Sequence, residues 1–225
     1  MPGKGEFGKM LPVVSIVGKS KAGKTTLVER LIDELKGRGY RVATIKHIPR
    51  DFELAQSGKD SWRHAQSGSD AVVSSSPRKI ALIKPVDHDA TIDEVLRLIG
   101  EDFDIVLTEG FRKGSAPKIE VHRKELKEGL LCPPKELLAI VTDEPLDADV
   151  PQFPWGDVSA IASLIEERLI AKRAAEDTVL FINGSPVPLN PFAKQFISST
   201  LMGMVSALRG VGKIRSLEVS VRKKN

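Results

Sequence analysis

The chain alternates short, wholly apolar runs with longer stretches whose apolar residues recur every three or four positions. LPVVSIVG (11 to 18) is rich in β-branched residues and closed by glycine, which predicts a buried strand. Over residues 24 to 36, Leu27, Leu31 and Leu35 recur every fourth position with Val28 and Ile32 beside them, the apolar face of a helix that stops at Gly37 and Gly39. YRVATIK (40 to 46) predicts the next strand. Residues 47 to 69 break the rhythm with too few apolar positions for a core element, so they predict loop with a short helix from about 61 to 66. DAVVSS (70 to 75), KIALIK (79 to 84), FDIVLTEG (103 to 110), KIEVHR (118 to 123) and LLAIVTD (137 to 143) read as strands. Ile92, Val95, Leu96 and Ile99 form one helical stripe, and Val158, Ile161, Ala162, Ile165 and Leu169 another. Helices alternating with buried strands predict an α/β fold, a mostly parallel, doubly wound sheet.

After residue 176 the texture changes. AKRAAED (171 to 177) is a charged junction, and VLFINGSPVPL places Asn183-Gly184 between apolar runs, a hairpin signal. A helix over 191 to 209, with Phe192, Phe196, Leu201, Val205 and Leu208 spaced for burial, and a strand at LEVSV (217 to 221) complete the pattern. The expected organisation is a disordered leader over 1 to 10, a main domain over 11 to 176 and a small C-terminal α+β appendage over 177 to 225. A unit of that size is marginal alone and needs a surface to pack on.

Composition narrows the function classes. No run approaches the roughly 20 apolar residues of a membrane helix, and the opening MPGKGEFGKM lacks the apolar core of a secretory signal. The single cysteine, Cys132, excludes an internal disulfide, and a reducing cytoplasm is the expected compartment. Aromatic residues are only 5% of the chain, which argues against a stacking platform, so nucleic acid is not an expected partner.

The chemistry is concentrated in GKSKAGKT, residues 18 to 25, which fits the phosphate-loop pattern GxxxxGK[ST]. It lies between a predicted strand and a predicted helix, the arrangement that lets backbone amides and a helix N-terminus meet a phosphate. Gly18, Lys19, Ser20, Lys21, Ala22, Gly23, Lys24, Thr25 and Thr26 are therefore candidate nucleotide-binding residues. Lys24 would reach the outer phosphates, and the Thr25 hydroxyl would bind Mg²⁺. Glu109, at the carboxyl end of a predicted strand, is the second metal candidate, since open α/β sheets bind ligands at that edge. Asp143 ends another strand and could accept hydrogen bonds from a guanine base.

These residues resemble the family of the molybdopterin-guanine dinucleotide biosynthesis protein MobB, on GKSKAGKTTL, IKHIPRDFELAQSGKDSWRH (45 to 64), VLTEGFRKG (106 to 114), PKIEVHR (117 to 123) and AIVTD (139 to 143). The resemblance spans most of residues 11 to 170 and implies a fold of the P-loop NTPase type that binds GTP and Mg²⁺. It also implies an accessory role beside the molybdopterin guanylyltransferase, which joins GMP to molybdopterin to form the guanine dinucleotide. By position it carries over Lys46, His47, Asp51, Asp60, Ser61, Arg63 and His64 as a polar block; Pro49 and Arg50 depart from the family's richer histidine, and Ala55 replaces a residue that is often acidic. Lys46, Arg63 and the two histidines suit an anion such as molybdopterin or its dinucleotide.

No arginine finger or water-positioning residue is identifiable, so no residue is assigned to catalysis and any GTP hydrolysis should be slow. Two rivals share the phosphate loop: a small-molecule kinase that holds its acceptor with the polar block, and a dimerising partner-switch ATPase that uses Lys19 across a homodimer.

Overall fold

A computed structural model of the chain describes residues 11–50, 60–100, 102–126, 129–171, 178, 180–182, 185–212, 214, 217 and 219–221. It divides at residue 172 into two units, taken separately here. In the main unit the order is β1 (Val13–Gly18), α1 (Lys24–Gly37), β2 (Val42–Lys46), α2 (Asp60–Gln66), β3 (Val72–Ser76), β4 (Lys79–Ile83) and α3 (Ile92–Ile99). There follow β5 (Ile105–Glu109), β6 (Lys118–Val121), β7 (Leu137–Thr142), β8 (Gln152–Pro154) and α4 (Val158–Ile165), the last continued by a π-helical turn, Glu166–Ile170.

Six strands form one parallel sheet in the order β2-β5-β1-β6-β7-β8. β1 is central because nearly every residue of VVSIVG is buried, as a strand covered on both faces requires. The chain leaves β1 toward β2 and β5 on one side and reaches β6 to β8 on the other, so strand order switches at β1, where ligands bind such sheets. Register aligns the carboxyl ends: Glu109 pairs with Ile16 and Lys46, and Gly18 with Val121. The ends of five strands, carrying Lys46, Glu109, Gly18, Val121 and Thr142, thus lie along one edge.

The two faces of the sheet differ. One is wholly apolar: Val14, Ile16, Ile105, Leu107, Ile119, Val121, Ala139 and Val141 pack against Leu27, Leu31 and Leu35 of α1 and Ile161, Ala162 and Ile165 of α4. Arg38, just past α1, ties the two helices together by donating to Glu34, the Ser159 carbonyl and Glu166. The opposite face mixes Val13, Val17 and Val106 with buried Ser15, Thr108, Lys118 and Glu120. Each of these polar groups is satisfied: Thr108 donates to Ser15 at 2.9 Å, Lys118 to the Gly114 carbonyl at 2.8 Å, and Glu120 accepts from the amides of Leu131 and Cys132 at 2.6 and 3.0 Å. The loop through Gly114 and the segment 131–136 therefore cover β6 on this side.

β3 and β4 stand apart as an antiparallel pair, with Val73, Ile80 and Leu82 exposed. In the second unit β9 (Leu180–Ile182) and β10 (Ser185–Val187) pair antiparallel, as the hairpin signal predicts; Asn183 and Gly184 themselves lie outside the described residues. α5 (Pro191–Ser206) starts at Asn190, whose side chain accepts from the Ala193 amide at 2.8 Å. It ends three residues before the predicted limit and buries none of its residues. The strand expected over 217 to 221 is absent among the described residues there. The leader over 1 to 10, the junction over 172 to 177 and Asp51 also lie outside them.

Candidate functional site

The backbone between β1 and α1 folds as a phosphate cradle. Gly18 has φ +142° and Gly23 φ +98°, and a side chain at either would collide with its surroundings. At Gly18 a Cβ would sit 2.5 Å from the Val121 carbonyl, and at Gly23 it would sit 2.5 Å from the Trp155 ring. Glycine is thus required at both ends of the loop by conformation and by space. Between them Lys21 is left-handed at φ +63°, and Ala22 is fully buried. Ser20, Lys21, Thr25 and Thr26 are exposed, while Lys19, Gly23 and Lys24 are half-buried.

Lys24 Nζ donates to the Lys19 carbonyl at 2.6 Å, bending the side chain back over the loop. Burial pulls its ammonium below the ordinary value; Glu109 opposes that shift and Lys46 adds to it. A phosphate entering the cradle would offer a better partner than one carbonyl.

Thr25 Oγ1 donates to Glu109 Oε2 at 3.0 Å, and Lys46 Nζ lies 3.4 Å from Glu109 Oε1. The end of β5 therefore faces the start of α1, which brings together the two candidate metal ligands. A hydroxyl and a carboxylate in contact are the hard oxygen donors that Mg²⁺ takes, with water and phosphate filling its remaining positions. Among the described residues no group of three or more His, Cys, Asp or Glu is arranged to hold a metal, so this pair would rely on phosphate oxygens to complete a magnesium shell.

On the other side of the loop lies an arrangement that sequence reading does not single out. Arg123, which follows β6, donates Nε to the Ala22 carbonyl at 3.2 Å, stacks 4.0 Å from the Trp155 ring centre and lies 3.4 Å from Asp143 Oδ2. Trp155, just after β8, presses on Gly23. Asp143 also accepts from the Lys124 amide at 2.9 Å, and that bond, with Arg123 next, holds its carboxyl below the usual range. The PKIEVHR stretch marked Arg123 as part of a motif, but nothing in the sequence marked Trp155, whose role appears only when β8 joins β7.

The polar block divides. Lys46 ends β2 beside Glu109, and the His47 amide donates to the Glu109 carbonyl at 2.9 Å. The His47 ring lies 2.9 Å from Asp89 and 4.7 Å from the Phe111 ring. Asp60 and Arg63 sit on α2, largely exposed and 3.9 Å from each other. Among the described residues no hydrogen bond or ion pair joins them or His64 to Lys46, His47 or the phosphate loop. Lys46 and Arg63 therefore stand on different elements, at the end of β2 and on α2. His122 is buried and paired with Glu144 at 3.0 Å, a structural histidine.

Comparison with known proteins places this geometry. The family model described as molybdopterin guanine dinucleotide synthesis protein B matches residues 13–143. A molybdopterin-guanine dinucleotide biosynthesis adapter protein of Haemophilus influenzae is 36% identical over 167 residues, which cover 72% of this chain and 92% of the relative. A relative from Methanocaldococcus jannaschii, 24% identical over 234 residues, covers 93% of this chain and so extends over its C-terminal unit. The crystal structure of a molybdopterin-guanine biosynthesis protein B is similar with a TM-score of 0.53 and 34% identity, over 69% of this chain and 97% of that one.

Proposed function

The chain belongs to the molybdopterin guanine dinucleotide synthesis protein B family, and we propose that it is the GTP- and Mg²⁺-binding adapter that assists a guanylyltransferase in attaching GMP to molybdopterin. The observation that carries this reading is one sheet edge on which a phosphate cradle, the Thr25–Glu109 oxygen pair and Asp143 stand in sequence. Phosphates would lie in the loop under Lys24, Mg²⁺ between Thr25 and Glu109, and the base toward Asp143 and Arg123. Membership in an adapter family favours neither a kinase nor a partner-switch ATPase. The proposed compartment is the cytoplasm, consistent with a buried free thiol at Cys132. Among the described residues no helix is long and apolar enough to cross a membrane.

The test is a side-by-side titration of GTP and ATP with Mg²⁺ present and chelated, followed by dinucleotide formation in a reconstituted reaction with the transferase. GTP should bind more tightly, and Asp143→Ala should erase most of the difference, about 1 to 3 kcal/mol by analogy with base readout in nucleic acids. Equal affinity for both nucleotides, or transfer that proceeds equally well without the chain, would overturn the proposal.

A further inference from the structure

In the second unit, α5 presents an exposed face whose residues are graded by size along its length. The helix has 16 residues, about 24 Å at 1.5 Å per residue, and buries none of them. One side is half-covered, through Ile197, Leu201 and Val205. The opposite side holds Phe192, Phe196, Ser199, Gly203 and Ala207, the last closing the helix, within an arc of about 80° at 3.6 residues per turn. All five are exposed, Phe192 at 77% and Phe196 at 62%, and the two rings stack 6.1 Å apart. Bulky side chains thus occupy the amino half of the arc and small ones the carboxyl half.

Gly203 is the informative residue. Glycine weakens a helix interior, and here the chain's own packing does not demand it: among the described residues a Cβ at Gly203 meets nothing within 4 Å beyond its own helix. What glycine supplies at such a place is room for another backbone or ring to approach from outside. Charge then selects the kind of partner. Lys194 is the one charged residue of α5 and stands on the half-covered side, so the exposed arc carries none. Nucleic acid and anionic membranes are bound through Lys and Arg, and neither suits this face. An antiparallel copy of α5 does. At a single register Phe192 lies opposite Ala207, Phe196 opposite Gly203 and Ser199 opposite Thr200, so each ring meets a small residue and each small residue a ring. That reciprocity is what a two-fold interface requires.

We propose that α5 is a self-association surface, on which two copies of the chain pair their helices antiparallel about a two-fold axis between residues 199 and 200. Phe196 of each copy then sits over Gly203 of the other, which lets the axes approach to the roughly 8 to 10 Å of packed helices. A phenylalanine can bury about 150 to 250 Å², so at these exposures the two rings leave roughly 200 to 350 Å² uncovered per copy. Met202 and Met204 flank the arc and widen the contact. Over both copies it falls at or below about 1,200 Å², the low end of specific interfaces, so the pairing is reversible. It involves neither Lys19 nor the phosphate loop and stands apart from the reading of the nucleotide site.

The test uses the full chain, with the buried Cys132 left in place. Sedimentation velocity over a concentration series should show a monomer–dimer equilibrium, and Phe196→Ala or Gly203→Leu should each weaken it at least tenfold. Gly203→Leu fills the notch without striking the chain's own atoms, and leucine favours helix over glycine, so helical circular dichroism should hold or rise. Under mild oxidation Ser199→Cys, beside the axis, should link two copies. Gln195→Cys should not, because its counterpart lies about 13 Å further along the helix at 1.5 Å per residue, beyond the reach of a disulfide. Adding Gly203→Leu should abolish the link at Ser199→Cys. A chain that stays monomeric up to its solubility limit overturns the pairing, and slow alkylation of Ser199→Cys in that monomer would assign the face to a cover within the same chain. Equal linking of both cysteine variants overturns the antiparallel register. A dimer that neither Phe196→Ala nor Gly203→Leu weakens, with no link at Ser199→Cys, overturns the role of α5 and places association on another surface.

Discussion

Replacing Gly23 with alanine tests the proposed nucleotide cradle at one of its two tightest points. Two costs follow from the structure. The backbone there has φ +98°, and holding an L-residue in left-handed backbone costs roughly 1 to 2 kcal/mol. The new methyl would also lie 2.5, 3.0 and 3.2 Å from three carbons of the Trp155 ring. Ordinary carbon contacts fall near 3.5 to 4.0 Å, so the ring must retreat by about 1 Å. Its retreat is resisted by Arg123, stacked 4.0 Å away and itself bonded to the Ala22 carbonyl. Overpacking of this kind costs about 1 to 3 kcal/mol, which brings the expected loss to about 2 to 5 kcal/mol. For a unit of this size that lowers the melting temperature by roughly 10 °C. Circular dichroism on Gly23→Ala, Trp155→Leu and the double variant separates the two costs. The shorter leucine relieves the overlap and leaves the backbone strain, so the cycle should show a favourable coupling of about 1 to 3 kcal/mol. Additivity within about 0.5 kcal/mol would refute the claim that the tryptophan ring braces the loop.

Lys24→Ala should abolish measurable GTP binding by calorimetry with the melting temperature nearly unchanged, because this side chain serves the loop and not the core. Glu120→Gln should destabilise the main unit by about 1 to 3 kcal/mol in urea unfolding, since the new amide turns a donor toward one of two buried backbone amides. The cap of α3 should be pH-sensitive at both ends of a window. Hydrogen bonds from the Thr91 backbone and side chain, with His88 next, hold the Glu94 carboxyl at about 2 instead of 4.5, so its contribution is present above pH 4.5 and lost as pH falls toward 2. Asp87, then Glu94, raise His88 above its ordinary 6.5, so that contribution is complete below pH 6.5 and lost as pH rises through the raised value. Chemical shifts of His88, Glu94 and the α3 amides against pH should show both transitions, and an unshifted Glu94 titration would contradict the capping geometry.

Where several sequence signals coincide, the structure follows them closely. β1, the phosphate loop and α1 combine a β-branched run, paired glycines and leucines every four residues, and each lies within two residues of its predicted bounds. β8 is different: it is three residues long, its run PQFP is bounded by two prolines, and only pairing with β7 makes it a strand. Trp155 depends on that pairing, so its place beside Gly23 is a tertiary fact with no local trace. In KIEVHR the charged residues Lys118 and Glu120 alternate with apolar ones, yet the polar positions do not face water. Both are buried, because the amides of Leu131 and Cys132, 11 and 12 residues further along, satisfy the carboxylate, and the Gly114 carbonyl and Glu136 satisfy the lysine. Period-2 polarity marks which side chains share a face and leaves open whether water or protein completes their bonds. LEVSV shows the same limit, since alternation alone supplies no neighbouring strand.

The proposed nucleotide site is held by contacts that a bound nucleotide would have to replace. Lys24 donates to Lys19, Thr25 donates to Glu109, and Arg123 reaches Asp143. The first two exchange favourably, because a phosphate outcompetes a neutral carbonyl for an ammonium, and a divalent cation outcompetes a hydroxyl for a carboxylate. The third governs base preference in the proposed GTP site. Asp143 Oδ1 is committed to the Lys124 amide at 2.9 Å, whereas Oδ2 meets Arg123 at 3.4 Å, beyond the usual range of a strong N–H···O bond. A guanine edge would find Oδ2 the more available acceptor and would displace a weak contact. Arg123 is retained through Ala22 and Trp155 whether or not it keeps Asp143. Discrimination against adenine should therefore fall toward the lower end of the roughly 1 to 3 kcal/mol of a two-point base contact. Arg123→Lys, which loses the fork and much of the stacking, should weaken both nucleotides by loosening the loop while leaving the ratio of GTP to ATP affinity nearly intact. A collapse of that ratio with the loop still binding phosphate would make Arg123, and not Asp143, the residue that reads the base.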